Sequence, residues 1–178
     1  MSDNCEICAF AKDPDALVYE DDAIAAVLTS TPATIGHILV FPKDHFPIME
    51  KVPDYIVGQI LNVANKLSTA IFESINIQGT NIIVQNGVPA GQRHAHCVLH
   101  LLPRMQNDGM DFTWQPKQLT EEEMSTIELQ VKENTKDIGG FELSAPSEPV
   151  TAKEETKTEY FSEDDAENYL IRHLRRIP

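Results

Sequence analysis

Three histidines crowd one short stretch of this chain: His94, His96 and His100 in Gly91-Gln92-Arg93-His94-Ala95-His96-Cys97-Val98-Leu99-His100-Leu101-Leu102-Pro103-Arg104. Successive side chains of a strand point to opposite faces, so His94, His96, Val98 and His100 are expected on one face. Ala95, Cys97, Leu99 and Leu101 then face a core. Each imidazole wants two polar partners, so three on one face are a poor packing solution and point to ligand, metal or proton chemistry. A second cluster stands at the other end of the domain, Cys5-Glu6-Ile7-Cys8. Its two-residue spacing lets both thiolates reach one metal and reads as half a metal site rather than as part of a disulfide framework.

These residues need elements to position them. Strands are predicted over residues 17–19 and 23–28, joined by the acidic turn Glu20-Asp21-Asp22, and over 36–42, closed by Pro42. A helix is predicted over 53–75: Ile56, Ile60, Val63, Leu67, Ile71 and Ile75 recur at three- and four-residue steps, and Pro53 suits a first turn. Strands over 81–85 and 96–102 follow, the first ending in the turn 86–91 and the second closed by Pro103. The order β-β-β-α-β-β predicts an α+β domain over residues 1–114, an antiparallel sheet of about five strands with the long helix packed on it.

Beyond Trp114 the character changes. Thr120 with Glu123 makes a capping box, and Met124, Ile127, Val131 and Ile138 trace the apolar face of a helix in 115–140, expected to pack on or near the domain and to stop at Gly139-Gly140. Residues 141–160 form an acidic linker whose only bases are Lys153 and Lys157 and which cannot bury enough surface to fold alone. Residues 161–178 read as an amphipathic tail helix, acids in front and Arg172, Arg175 and Arg176 at the back, which suits a helix dipole. It is expected to dock on this domain or on a second copy.

The histidine segment resembles the signature of the histidine-triad (HIT) family: Gly-Gln, three residues, His-x-His-x-His, then often Pro-Arg. Gly91-Gln92 upstream and Pro103-Arg104 downstream give one register, with His96 first, Val98 second and His100 third. Further landmarks of the family are resembled in order by residues 18–22, by Pro32 through Gly36-His37 to Pro42-Lys43-Asp44-His45, and by Asn86-Gly87. The resemblance covers residues 5–104 and leaves the tail from 115 outside it.

That resemblance implies a structural zinc held by Cys5, Cys8, His45 and His96. Two thiolates and two neutral imidazoles suit a closed tetrahedral Zn²⁺ site, and their charges sum to zero. A closed site has no open position for activating water. Cys97 faces away from His96 and is expected to be a small core residue. The family also implies a homodimer through the long helix and an edge strand, a place that 81–85 could fill.

In family enzymes the middle histidine attacks the α-phosphate of a nucleotide and forms a covalent intermediate, which water or another acceptor then breaks. Val98 has no lone pair and cannot do this. His94 would lie about 13 Å from Val98 along a strand, and His96 about 7 Å away and tied to metal, so neither is expected to substitute. The phosphate-side histidines His37 and His100 are retained. Thr29 stands where the family commonly has an aspartate for the ribose, Gln85 stands near the position of a binding Asn, and Arg93 replaces a small polar residue. The expected pocket is therefore Thr29, His37, Gln85, Gly91, Gln92, Arg93 and His100.

The expected function is binding of a nucleotide or another small phosphorylated ligand with the covalent route lost. Two alternatives stand beside it: an enzyme using His37 and His100 as acid and base on a bound water, and an interaction protein working through the acidic linker and tail helix. A net charge of −14 argues against nucleic-acid backbones and anionic membranes as partners. The hydrophobic fraction of 42% and charged fraction of 24% are those of ordinary globular chains. No apolar run reaches the ~20 residues of a membrane span, and Met1-Ser2-Asp3-Asn4-Cys5 has no secretory character, so a cytoplasmic setting is expected.

Overall fold

A computed structural model of the chain describes residues 5–140; the linker 141–160 and the tail helix 161–178 expected from sequence lie outside the described residues. The elements are α1 (Glu6–Phe10), β1 (Leu17–Glu20), β2 (Ile24–Leu28), β3 (Ile38–Pro42), α2 (Asp54–Ile75), β4 (Gly79–Val84), β5 (Leu99–Arg104) and α3 (Glu121–Asn134), with single 3₁₀ turns at Met49–Lys51 and Val88–Ala90. The five strands form one sheet in the order β1-β2-β3-β5-β4. All of its pairings are antiparallel. The α+β architecture with one long helix is as the sequence order predicts.

The β1–β2 turn is built on Asp21, whose carboxylate accepts the Ala23 and Ile24 N–H groups at 2.8 and 2.7 Å and the Tyr19 hydroxyl at 2.8 Å. Beyond it the strands bury both of their faces. Ile24, Ala26, Ile38, Val40, Leu99 and Leu101 join Ile56, Ile60, Val63 and Ile71 of α2 in one core. Ala25, Val27, Leu39, Phe41 and Val98 form a second cluster on the opposite face, capped by Ile7 of α1. The single-turn α1 was not foreseen from sequence; Ile7, fully buried, is what holds it down. Of the predicted α2 stripe, Ile75 is exposed; it is the last residue of the helix, which ends in an αL cap at Asn76 (φ 52°).

Two strand boundaries differ from expectation for physical reasons. Residues 94–96 are bends and 97–98 lie outside the strand, since β3 pairs with β5 only from Val40↔Leu99 to Ile38↔Leu101. Pro103 does not close β5 but lies inside it, opposite Thr80 of β4. On its other side the β3 ladder has ended, so no neighbour there needs the missing N–H. Gly36 turns there instead, at φ 80°, where a Cβ would meet Ile75 Cδ1 at 3.0 Å and Pro103 Cγ at 3.4 Å.

α3 has its capping box, Thr120 and Glu123 bonded reciprocally, and ends at Asn134 rather than at Gly139-Gly140. Its packing is not made within the described residues: Met124, Ile127 and Val131 are each about half exposed (54, 48 and 54%). Among the described residues no helix is long and apolar enough to cross a membrane.

Candidate functional site

Cys5 caps α1 and Cys8 lies within it, so the short helix presents both sulfurs on one side. His45 follows β3, and His96 precedes β5. The Cys97 N–H bonds the Phe46 carbonyl at 2.6 Å and ties those two segments together. Cys8 Sγ is 3.4 Å from His45 Nδ1 and 3.5 Å from His96 Nδ1, Cys5 Sγ is 3.6 Å from His96 Nδ1, and all four donor atoms lie within 4.8 Å of one another. His96 Nε2 donates to the Pro42 carbonyl at 2.9 Å, which leaves Nδ1 as the lone-pair side facing the sulfurs. Such a cluster could hold a metal ion. Cys97 lies in the α2-side core, away from it, and burial raises its thiol pKa.

Beside this cluster a cleft of about 400 Å³ opens on the sheet face opposite α2. Thr29, His37, Gln85, Gly91, Gln92, Arg93 and His100 all line it, with Val98 at its floor. His37 and His100 come together because β3 and β5 are adjacent, with Leu39 directly across from His100. The Ala33 N–H donates to His37 Nδ1 at 3.2 Å, so a neutral His37 carries its proton on Nε2, which lies 3.1 Å from His100 Nδ1. His100 in turn keeps its proton on Nε2. Burial, with His100 beside it, pulls the His37 pKa down to about 4, and burial lowers His100 too, helped by His94 and Arg93. The pair is therefore neutral near pH 7.

Gln92 fixes the turn that carries Arg93 and His94. Its side-chain oxygen accepts the Gly87 N–H at 2.7 Å, and its amide nitrogen donates to the Pro47 and His94 carbonyls at 2.6 and 2.8 Å. Gly91, at φ 90°, admits the Gln85 amide to 2.7 Å from where a Cβ would stand.

His94, expected on the same face as His100, lines the same cleft although residues 94–96 are bends rather than strand, and its Nδ1 sits 3.4 Å from Glu6 Oε2. The reading also missed Met110 and Phe112, which wall the cleft. They are placed by Arg104, which forks onto Asp108 (2.5 and 2.8 Å), bonds the Met110 carbonyl at 2.5 Å and the Asn81 amide oxygen at 2.6 Å, and lies over the Phe112 ring. Arg104 holds the Asp108 carboxyl well below the usual carboxylate range. Arg104 followed four residues on by Asp108-Gly109 was the available signal. Among the described residues no Asp or Glu lines the cleft.

A five-stranded antiparallel sheet with one long helix, a histidine pair on the opposite face and a Cys₂His₂ cluster beside it defines a small α+β class of domain with a histidine-lined cleft. Residues 11–107 match the HIT domain family, more than half of the chain, and the chain belongs to that family. It is 36% identical over 124 residues to an uncharacterized HIT-like protein of Borreliella burgdorferi, covering 68% of this chain and 89% of that one. It is 31% identical over 110 residues to adenylylsulfatase HINT3 of Arabidopsis thaliana, covering 61% of this chain and 56% of the relative's length. The crystal structure of a Zn-bound histidine triad family protein from Mycobacterium smegmatis superposes with a TM-score of 0.57 at 28% identity, covering 74% of this chain and 97% of that one.

Proposed function

We infer that this HIT-domain protein is a zinc-stabilised binder of a nucleotide or another small phosphorylated ligand, and that it lacks the covalent nucleotidyl-histidine route. One observation carries the reading: the residue between His96 and His100 on the cleft face is Val98, buried against Leu39 and Phe41. A valine offers no lone pair to phosphorus. His96 turns its Nδ1 to the sulfurs and its Nε2 to Pro42, so it has no nitrogen left for the cleft. The His37–His100 pair presents a proton at Nε2 of His100 rather than a lone pair, which suits donation to a phosphoryl oxygen and not abstraction of a proton from water.

Zinc is the metal the donor set favours, because two thiolates and two imidazoles match its softness and tetrahedral habit. Tetrahedral bonds of about 2.3 Å to sulfur and about 2.0–2.1 Å to nitrogen set S···N separations near 3.6 Å. The observed 3.4–3.6 Å fits. Bound there, the metal supplies structural cross-linking; the four residues tie α1 to the two segments that flank the cleft. A reducing, cytoplasmic setting keeps the thiols available for this.

The protein is further read as a homodimer joined along β4. That strand ends the sheet, and Ile82 is exposed on it.

The name of the Arabidopsis relative makes adenylylated compounds the first class to try. The test follows nucleotide release from an adenosine phosphoramidate and a dinucleoside polyphosphate by the native chain and by Val98→His. The expected result is a silent native chain that binds nucleotide in a thermal-shift assay, and a variant that gains turnover. Native turnover that vanishes in His100→Ala would overturn the inference from Val98. Absence of any thermal shift with nucleotides or phosphorylated metabolites would overturn the binding reading itself.

A further inference from the structure

Arg93 has no hydrogen-bond or ion-pair partner among the described residues, although the chain carries 28 acids to 14 Lys and Arg. Its position is not loose. Gln92 beside it is clamped to Gly87, Pro47 and His94, and Gly91 before it is pressed on Gln85. The guanidinium thus stands on a fixed turn, exposed at the rim of a cleft that no carboxylate of the described residues lines. Glu6, which reaches this turn, is engaged with His94.

Deeper in the same cleft stands a different donor. His100 Nε2 carries a proton, fixed there by the chain of bonds from the Ala33 N–H through His37, and no described residue accepts it. The cleft therefore offers two anion contacts in sequence, a neutral N–H within and a planar cationic fork at the mouth.

We propose that the cleft is built for a ligand with two linked phosphates, the inner one accepting the His100 Nε2–H and the outer one paired with the Arg93 guanidinium. The proposal rests on the phosphorylated-ligand reading and narrows it to the diphosphate class. A monophosphate seated on His100 leaves Arg93 in water, whereas a second phosphate brings its charge to the one rim cation that has no other partner. No bond is made or broken, since Val98 beside the inner phosphate has no lone pair.

The test is isothermal titration of the full metal-loaded chain with ADP, AMP, inorganic pyrophosphate and inorganic phosphate, for native protein, Arg93→Gln and Arg93→Lys. ADP is expected to bind roughly tenfold or more tightly than AMP, the size of one charge-assisted contact. Arg93→Gln should weaken ADP toward the AMP level and weaken it severalfold more than it weakens AMP, while Arg93→Lys keeps part of the difference. That preference should shrink with added salt, since the rim contact is exposed. Equal affinities for ADP and AMP, or equal weakening of both by Arg93→Gln, would overturn the diphosphate assignment and leave the phosphorylated-ligand reading standing. No binding of any of the four probes would overturn both.

Discussion

His37 spends its two ring nitrogens on Ala33 and His100, and that arrangement holds only while both imidazoles are neutral. Its folded pKa of about 4 lies below the ordinary 6.5, so as pH falls the unfolded chain takes up this proton before the folded one does. The stability His37 contributes is therefore fully present above about pH 6.5 and is lost as pH falls toward about 4, on the order of 2–3 kcal/mol. Urea midpoints of native protein and His37→Asn, taken from about pH 7 to about pH 4.5, should converge because the variant lacks this proton uptake. Parallel profiles would show that His37 is not held neutral by burial. Thr29, by contrast, turns its hydroxyl back on its own loop, accepting the Thr31 N–H at 3.2 Å, and a ligand hydroxyl must compete with that bond.

At the scale of elements, the long helix and the strand order were legible because their apolar periods are strong: Ile56, Ile60, Val63 and Ile71 are buried as their spacing requires. The seven expected cleft residues sit at the ends of β2 and β4 (Thr29, Gln85), on or beside the neighbouring strands β3 and β5 (His37, His100) and on the glutamine-clamped turn (Gly91, Gln92, Arg93). What could not be read were features set by pairing partners. Residues 94–98 alternate like a strand yet have no ladder to join, and Pro103 reads as a terminator only until β3 is seen to stop short of it. α3 shows the reverse case: its cap and apolar stripe are legible, but a stripe does not say what covers it. The wall carrying Met110 and Phe112 rests on Arg104. Replacing Arg104 with Gln removes the fork onto Asp108, so amide exchange across 105–112 is expected to quicken by more than about tenfold, with global stability down by only about 1–2 kcal/mol. Unchanged exchange there would mean that the wall stands without its arginine.

For the whole molecule, the open side of β4 sets the expected assembly. A lysine at position 82 would place charge on an edge strand that otherwise invites pairing. Sedimentation should report a dimer for the native chain and a monomer for Ile82→Lys; a native monomer would remove the dimer from the reading.

The short path between the Cys₂His₂ cluster and the cleft has a further consequence. His96 and Val98 are two residues apart, and the turn clamped by Gln92 ends at the His96 carbonyl. Whatever order a metal held by the cluster would give to residues 94–98 is order the cleft would not have to supply to a ligand. On the proposed function, the two sites are expected to be linked in the thermodynamic sense: chelating the metal should weaken AMP binding, and AMP should raise metal affinity by the same factor, in the range of about 5- to 150-fold typical of coupled sites. Measured around that cycle, unequal arms would mean that chelation has changed the fold, and two arms of unity would mean that the neighbouring sites are energetically independent.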